Sequence, residues 1–214
     1  MKVSITLSRL YDDYAAATLV VRELESVGIP TSEISIVASN AENWYSSKGT
    51  MPSSSKHDRD RDDADDRAEG AATGAGIGAT VGGIAGLLAG LGIIAIPGIG
   101  PVVAAGWLAS TAVFAAAGGV AGGILGALTE AGVSEQDAQV YAEGVRRGGT
   151  LLTVRVPEGD QKRVEAILDR SAVNIREREM TYRKSGWSSF DPDAPPYTAD
   201  QVRKERDLHR RNAA

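Results

Sequence analysis

"GAATGAGIGATVGGIAGLLAGLG", residues 70–92, decides how the rest of this chain is read. Glycine at this density serves a loop that cradles phosphate, a flexible linker, or a helix that omits side chains so that another helix can approach. A phosphate loop of the form Gly-x-x-x-x-Gly-Lys-Ser/Thr needs a lysine for the terminal phosphates, and no lysine lies between Lys56 and Lys162. A dinucleotide fingerprint needs Gly-x-Gly-x-x-Gly between a strand and a helix. Gly74, Gly76 and Gly78 supply its start, with Ala79 or Val81 in the third glycine's place, but an Asp- and Arg-rich run precedes them instead of a buried strand. The pattern that persists is a four-residue repeat, Gly70, Gly74, Gly78, Gly82, Gly86 and Gly90. On a helix these positions form one slowly drifting stripe, a groove that a second backbone can enter.

Further along, Gly118, Gly122 and Gly126 repeat the pattern, with Ala115, Gly119, Gly123 and Ala127 on the adjacent row. Between the two halves stands Ile96-Pro97-Gly98-Ile99-Gly100-Pro101, where two prolines and two glycines stop a helix. The spacing therefore predicts a glycine-zipper helical hairpin over 70–129, with arms 71–95 and 102–128 and a turn at Pro97, Gly98, Gly100 and Pro101. No charged residue occurs from Gly70 to Thr129. Arms of this length are about enough, at ~1.5 Å per residue, to cross a ~30 Å hydrocarbon layer. Each glycine costs roughly 1 kcal/mol of helix propensity against alanine, so close packing or a bilayer must support the arms. Two environments fit: insertion in the inner membrane with both termini cytoplasmic, since every Lys and Arg lies outside the hairpin, or burial within a soluble cytoplasmic homo-oligomer.

Outside this segment the chain alternates strand and helix signals. Val3, Ile5 and Leu7 alternate with Ser4 and Thr6 as in a half-buried strand. Ala16, Val20, Leu24 and Val27 then recur at helical spacing up to Gly28, and 34–38 reads as a second strand. Ser134 begins a helix that carries Ala138, Tyr141, Ala142 and Val145, with Asp137 placed to reach back to the cap, and Gly148-Gly149 ends it. Residues 150–156 alternate as a strand, 160–171 as a helix bearing Val164, Ile167 and Leu168, and 174–182 as a last strand whose Arg176-Glu177-Arg178-Glu179 charges suit a sheet edge. The expected fold is α+β: a ferredoxin-like antiparallel sheet, strand-helix-strand twice with helices on one face, interrupted by the helical hairpin. Its parts are a discontinuous body of 1–39 and 133–183, a polar Ser/Asp-rich linker at 40–69, the hairpin at 70–129, and a mobile tail at 184–214 with a short mixed-charge helix.

The strand-helix-strand start with Asp12-Asp13 and Ile34-Ser35-Ile36-Val37, the Gly-x-x-x-Gly arms, the 96–101 turn, and Tyr141-Ala142-Glu143-Gly144-Val145-Arg146-Arg147-Gly148-Gly149 together resemble bacterial general stress proteins of the heat-induced YflT and 17M-like group. The glycine-rich hairpin is similar to that of low-temperature-induced proteins. The resemblance spans roughly residues 1–183 and implies a stress-associated, non-enzymatic role. It brings no catalytic residues with it.

Composition narrows the chemistry further. With 28 acids against 23 bases the net charge is -5, which does not predict nucleic acid as a partner. The chain has no cysteine and only His57 and His209, so thiol nucleophiles and most metal and triad chemistries are excluded. Asp58, Asp60, Asp62 and Glu69 match positions 1, 3, 5 and 12 of a calcium loop, but Asp63 stands where the sharp turn needs glycine, so a solvated charge run is the better reading. No catalytic residue, cofactor, metal or small-molecule substrate is predicted, and the start, Met1 to Leu7, carries no secretory signal. The expected partners are membrane lipid and further copies of this chain. Arg146 and Arg147 read as a basic helix end, or as phosphate or headgroup ligands if the hairpin is embedded.

Overall fold

The computed structural model describes residues 4–45, 92–96, 99–106 and 123–212. The linker at 46–69, the arm residues 70–91 and 107–122, and Pro97 and Gly98 lie outside the described residues.

Five strands form one antiparallel sheet in the order β1-β5-β2-β4-β3. They are β1 (Ser4–Tyr11), β2 (Ile34–Ser39), β3 (Gly92–Ile96), β4 (Gly100–Ala105) and β5 (Thr150–Pro157). Six α-helices are described: α1 (Tyr14–Ser26), α2 (Ile124–Glu130), α3 (Glu135–Arg146), α4 (Gln161–Leu168), α5 (Ile175–Lys184) and α6 (Ala199–Asn212). Local signals account for most boundaries. Asp13 caps α1 through its carboxylate, which accepts from the Ala16 amide at 2.8 Å. Gly28 closes the turn after α1 with φ +89°. Ser134 caps α3 by accepting from the Asp137 amide at 3.2 Å. The Asp137 carboxylate does not serve the cap; it pairs with Arg176 at 3.0 Å.

Both faces of the sheet are covered. Leu7, Tyr11, Ile34, Ile36, Leu152 and Val154 meet α1 and α4 on one face. Leu10, Val37, Val102, Ala104 and Leu151 meet α2 and α3 on the other. The expectation of helices on a single face therefore needs correcting. The polar alternates that alternation assigns to solvent are buried, and they are satisfied within the sheet: Ser8 and Thr153 share a hydrogen bond at 3.2 Å, and the Ser35 hydroxyl donates to the Ala105 carbonyl at 2.9 Å. Small hydroxyl side chains that find such partners leave little free-energy objection to a second helical layer.

Three further corrections concern the chain's middle and end. Residues 92–95 and 102–105, expected as helix, are strand, and the turn between them is a β-hairpin with Gly92 opposite Ala104 and Ile96 opposite Gly100. Ile93, Ile94, Val102 and Val103 are β-branched, and the edge of β2 offers Ile36–Ser39 as a template for β4, so tertiary pairing overrides the helical repeat. The segment at 174–182, expected as a strand, is α5. Asn174 caps it, accepting from the Arg176 and Glu177 amides, and Arg176, Glu179 and Arg183 pair at helical spacing. The tail, expected to be mobile, meets the body: Phe190 and Val202 are buried, and Glu205 and Arg206 of α6 pair with Arg147 and Glu42.

Candidate functional site

The end of α3 organises the most elaborate polar cluster among the described residues. Glu143 faces inward on α3 and is fully buried. Its carboxylate accepts from Arg147 Nε at 2.6 Å and from Arg146 Nη1 at 3.1 Å, one helical turn on. Arg147 then donates through Nη1 to Glu205 of α6 at 2.6 Å, and its guanidinium lies 4.3 Å from the centre of the Tyr182 ring. Arg146 donates to the Pro195 carbonyl at 3.1 Å and stacks 4.9 Å from the Tyr197 ring. Burial by itself lowers the Arg147 pKa, but the hydrogen bond and charge of Glu143 and the charge of Glu205 outweigh it, and the net displacement is upward.

Glycine completes the cluster. Gly148 has φ +102°, and a Cβ there would fall 2.4 Å from Val202 Cγ1 of α6. A Cβ on Gly149 would fall 2.9 Å from the Gly144 carbonyl oxygen, and one on Gly144 2.5 Å from Leu10 Cδ2. The Arg146-Arg147-Gly148-Gly149 run is thus a seat for the C-terminal helix. Both arginines are engaged by Glu143, Glu205 and the Pro195 carbonyl and clamp the tail to α3, while the Arg146 Nε is buried without a hydrogen-bond partner. On the far side of α6, Arg206 donates to Glu42 at 2.6 Å, so the tail also grips the loop that follows β2. That loop is itself braced: Asn40 bonds Tyr45 twice, and Trp44 Nε1 donates to the Ser39 carbonyl at 2.7 Å. Residues 40–45, expected as the start of the linker, therefore belong to the folded body.

His209 of α6 lies beside Tyr182, with ring centres 6.5 Å apart. Burial, then the positive charges of Arg178 and Arg147, push its pKa down to about 4 against the pull of Asp12. Tyr182 is pushed up by burial. A separate cleft of about 340 Å³ between α3 and α5 is lined by Glu135, Gln136, Gln139, Glu179, Arg183 and Trp187. Its Glu179 carboxylate accepts from Arg183 and Gln136, which hold it below the usual carboxylate range. A carboxylate so occupied is a structural anchor and a poor base.

Of the glycines singled out as helix-packing positions, Gly74, Gly78, Gly82, Gly86, Gly90, Gly118 and Gly122 lie outside the described residues. Gly126 is in α2, and among the described residues a Cβ there would meet nothing within 4 Å. Gly100 and Pro101 open β4, while Ile99, beside them in the turn, is buried. Glu143, Tyr182, Glu205 and Val202 were not picked out as partners from the sequence. The Glu143–Arg147 spacing is a visible signal, but nothing local links it to Tyr182, Val202 and Glu205, which lie far along the chain. Among the described residues no group of histidines and carboxylates could hold a metal ion, and no helix is long and apolar enough to cross a membrane. The chain matches no protein-family model, no curated protein and no solved structure.

Proposed function

We propose that this chain is a non-enzymatic stress-response protein that acts by self-assembly, its Gly/Ala-rich segment packing between copies. The stress association follows from the resemblance of the start, the turn and the Arg-Arg-Gly-Gly run to general stress proteins. The observation that carries the assembly reading is the rooting of the segment in the sheet. Gly92 is opposite Ala104, so the chain enters the hairpin and leaves it at neighbouring positions. Only sixteen residues, 107–122, separate Gly106, just past the end of β4, from Gly123 before α2. As a helix they would span about 24 Å at ~1.5 Å per residue, short of a ~30 Å hydrocarbon layer. Their glycines and alanines suit close contact between backbones.

The body reads best as a ferredoxin-like unit. The order β1-β5-β2 is that of its first three strands, α1 and α4 share one face, and at Val173, whose amide donates to the Leu10 carbonyl at 2.8 Å, the chain touches the edge of β1 where a fourth strand would lie. The uncharged run from Gly70 to Thr129 favours a second reading, association with the inner membrane, in which lipid takes the place of the neighbouring copy.

Light scattering on the purified chain together with alkaline extraction of native membranes tests both. Self-assembly predicts a mass above the 22.3 kDa monomer and release by carbonate. Gly82→Leu and Gly118→Leu should each lower the assembled fraction. A monomer that stays in the pellet after carbonate would replace the first reading by the second, and a monomer in the supernatant would remove both.

A further inference from the structure

Where α6 meets α5 and the end of α3, the structure leaves a narrow cavity of about 10 Å³. Its polar walls are Asp12, Arg147, Arg178, Tyr182, Arg206 and His209. Three of these residues each hold a buried side-chain atom without a hydrogen-bond partner among the described residues: the Tyr182 hydroxyl oxygen, His209 Nε2 and Arg206 Nε. Tyr182 is 1 % exposed, so bulk solvent does not reach its hydroxyl. The Glu205 carboxylate comes within 3.5 Å of His209 Nε2 without completing a hydrogen bond to it. A buried polar atom left unpaired is costly, and three such atoms on the walls of one cavity point to a guest that they share.

We infer that this cavity is a binding site for a single water molecule, held by Tyr182, Arg206 and His209, which joins α6 to α5. The size admits little else, since a water needs roughly 10–15 Å³ and a phosphate or an organic molecule needs several times more. Charge then argues against an ion. Arg178 already donates to Asp12 at 2.7 Å, Arg206 to Glu42 at 2.6 Å, and Arg147 to Glu143 and Glu205, each at 2.6 Å. No guanidinium is left uncompensated to draw an anion, the Asp12 carboxylate in the wall repels one, and the same guanidiniums repel a cation. The three atoms also differ in what they need. Arg206 Nε only donates, the Tyr182 hydroxyl donates or accepts, and the nitrogen of a neutral imidazole does one or the other according to its tautomer. Burial and the charges of Arg178 and Arg147 keep the His209 ring neutral at pH 7. Water donates twice and accepts twice, so one molecule serves all three. The joint lies within one copy of the chain and is independent of self-assembly.

Nuclear magnetic resonance on the full chain tests the site directly. The Arg206 Hε proton should show cross-peaks to the water resonance that have opposite sign in laboratory-frame and rotating-frame Overhauser spectra, as a long-lived bound water gives. Cross-peaks of equal sign, the mark of proton exchange with bulk solvent, or no cross-peak at all, would overturn the proposal. A second measurement uses Tyr182→Phe, which removes the hydroxyl and keeps the ring. It should lower the folding equilibrium constant about five-fold in the native background and less than about two-fold in a His209→Leu background, where the bridge is already broken. Equal effects in the two backgrounds would mean that the groups share no guest. Exchanging chloride for gluconate at constant ionic strength should leave the melting temperature unchanged, whereas stabilisation specific to chloride would assign the cavity to an anion and overturn the water.

Discussion

Val202 of α6 sits directly on Gly148, so close that the first carbon of any side chain at 148 would lie 2.4 Å from Val202 Cγ1. A helix terminator has become the docking point for a helix more than fifty residues later in the chain. Since the same glycine has φ +102°, its substitution carries two penalties. Gly148→Ala should lower unfolding stability by about 2 kcal/mol and speed amide exchange in 199–212, measured by urea denaturation and hydrogen exchange. Gly132→Ala, with φ +90° but open space around it, should lose only the backbone part, about 1 kcal/mol.

Glu143 supports two arginines from a fully buried position, and its removal leaves Arg147, whose side chain is 8 % exposed, without its main counter-charge. Glu143→Ala should destabilise the fold by about 3 kcal/mol in urea unfolding. The exposed pair Arg155–Glu33, at 2.9 Å but with side chains 40 % and 38 % exposed, should contribute no more than about 0.5 kcal/mol in a double-mutant cycle.

His209 has a folded-state pKa depressed from 6.5 to about 4. The unfolded chain therefore binds the proton more readily than the folded one. The stabilisation from keeping this imidazole neutral is complete above pH 6.5 and is lost as the pH falls from 6.5 towards 4. Carboxylates titrate in the lower part of that window, so the quantity to measure is the difference in unfolding free energy between wild type and His209→Gln. It should be flat above pH 7 and change in favour of the glutamine variant between pH 6.5 and 4. A constant difference across the range would contradict a buried neutral histidine.

Tyr141 ties the second helical layer to the sheet, its hydroxyl donating to the Ser8 carbonyl at 2.7 Å from a buried position that pushes its pKa up to about 12. Tyr141→Phe should cost about 1 kcal/mol in thermal or urea unfolding while leaving the helix content unchanged.

Much of the body is legible in the sequence. The alternation at β1, the spacing of Val20 and Leu24 in α1, the Ser134 cap and the Val164, Ile167 and Leu168 stripe each identify an element, because side-chain period and capping chemistry are local. The misreadings share a cause. In 174–182 the alternating charges suit a sheet edge, whereas Arg176, Glu179 and Arg183 are partners one helical turn apart and Tyr182 is buried beneath them. At 92–95 and 102–105 the uncharged arms of the glycine repeats extend the helical reading, but Ile93, Ile94, Val102 and Val103 are strand formers that need only an open ladder, which β2 provides. The candidate site escaped almost entirely. Glu143 and Arg147 advertise a helical pair, yet nothing local says that Glu205, Tyr182 and Val202 converge on them.

The sequence by itself determined the alternation of strands and helices over most of the body, the helix caps and the absence of thiol chemistry, because each depends on residues within a few positions of one another. Only the tertiary structure decided that serine and threonine faces would be roofed by α2 and α3, that an uncharged hairpin would extend the sheet, and that the tail would be clamped by Arg146 and Arg147. Those outcomes depend on which partner satisfies a buried hydrogen bond or charge, and partners far apart in the chain are brought together by folding alone.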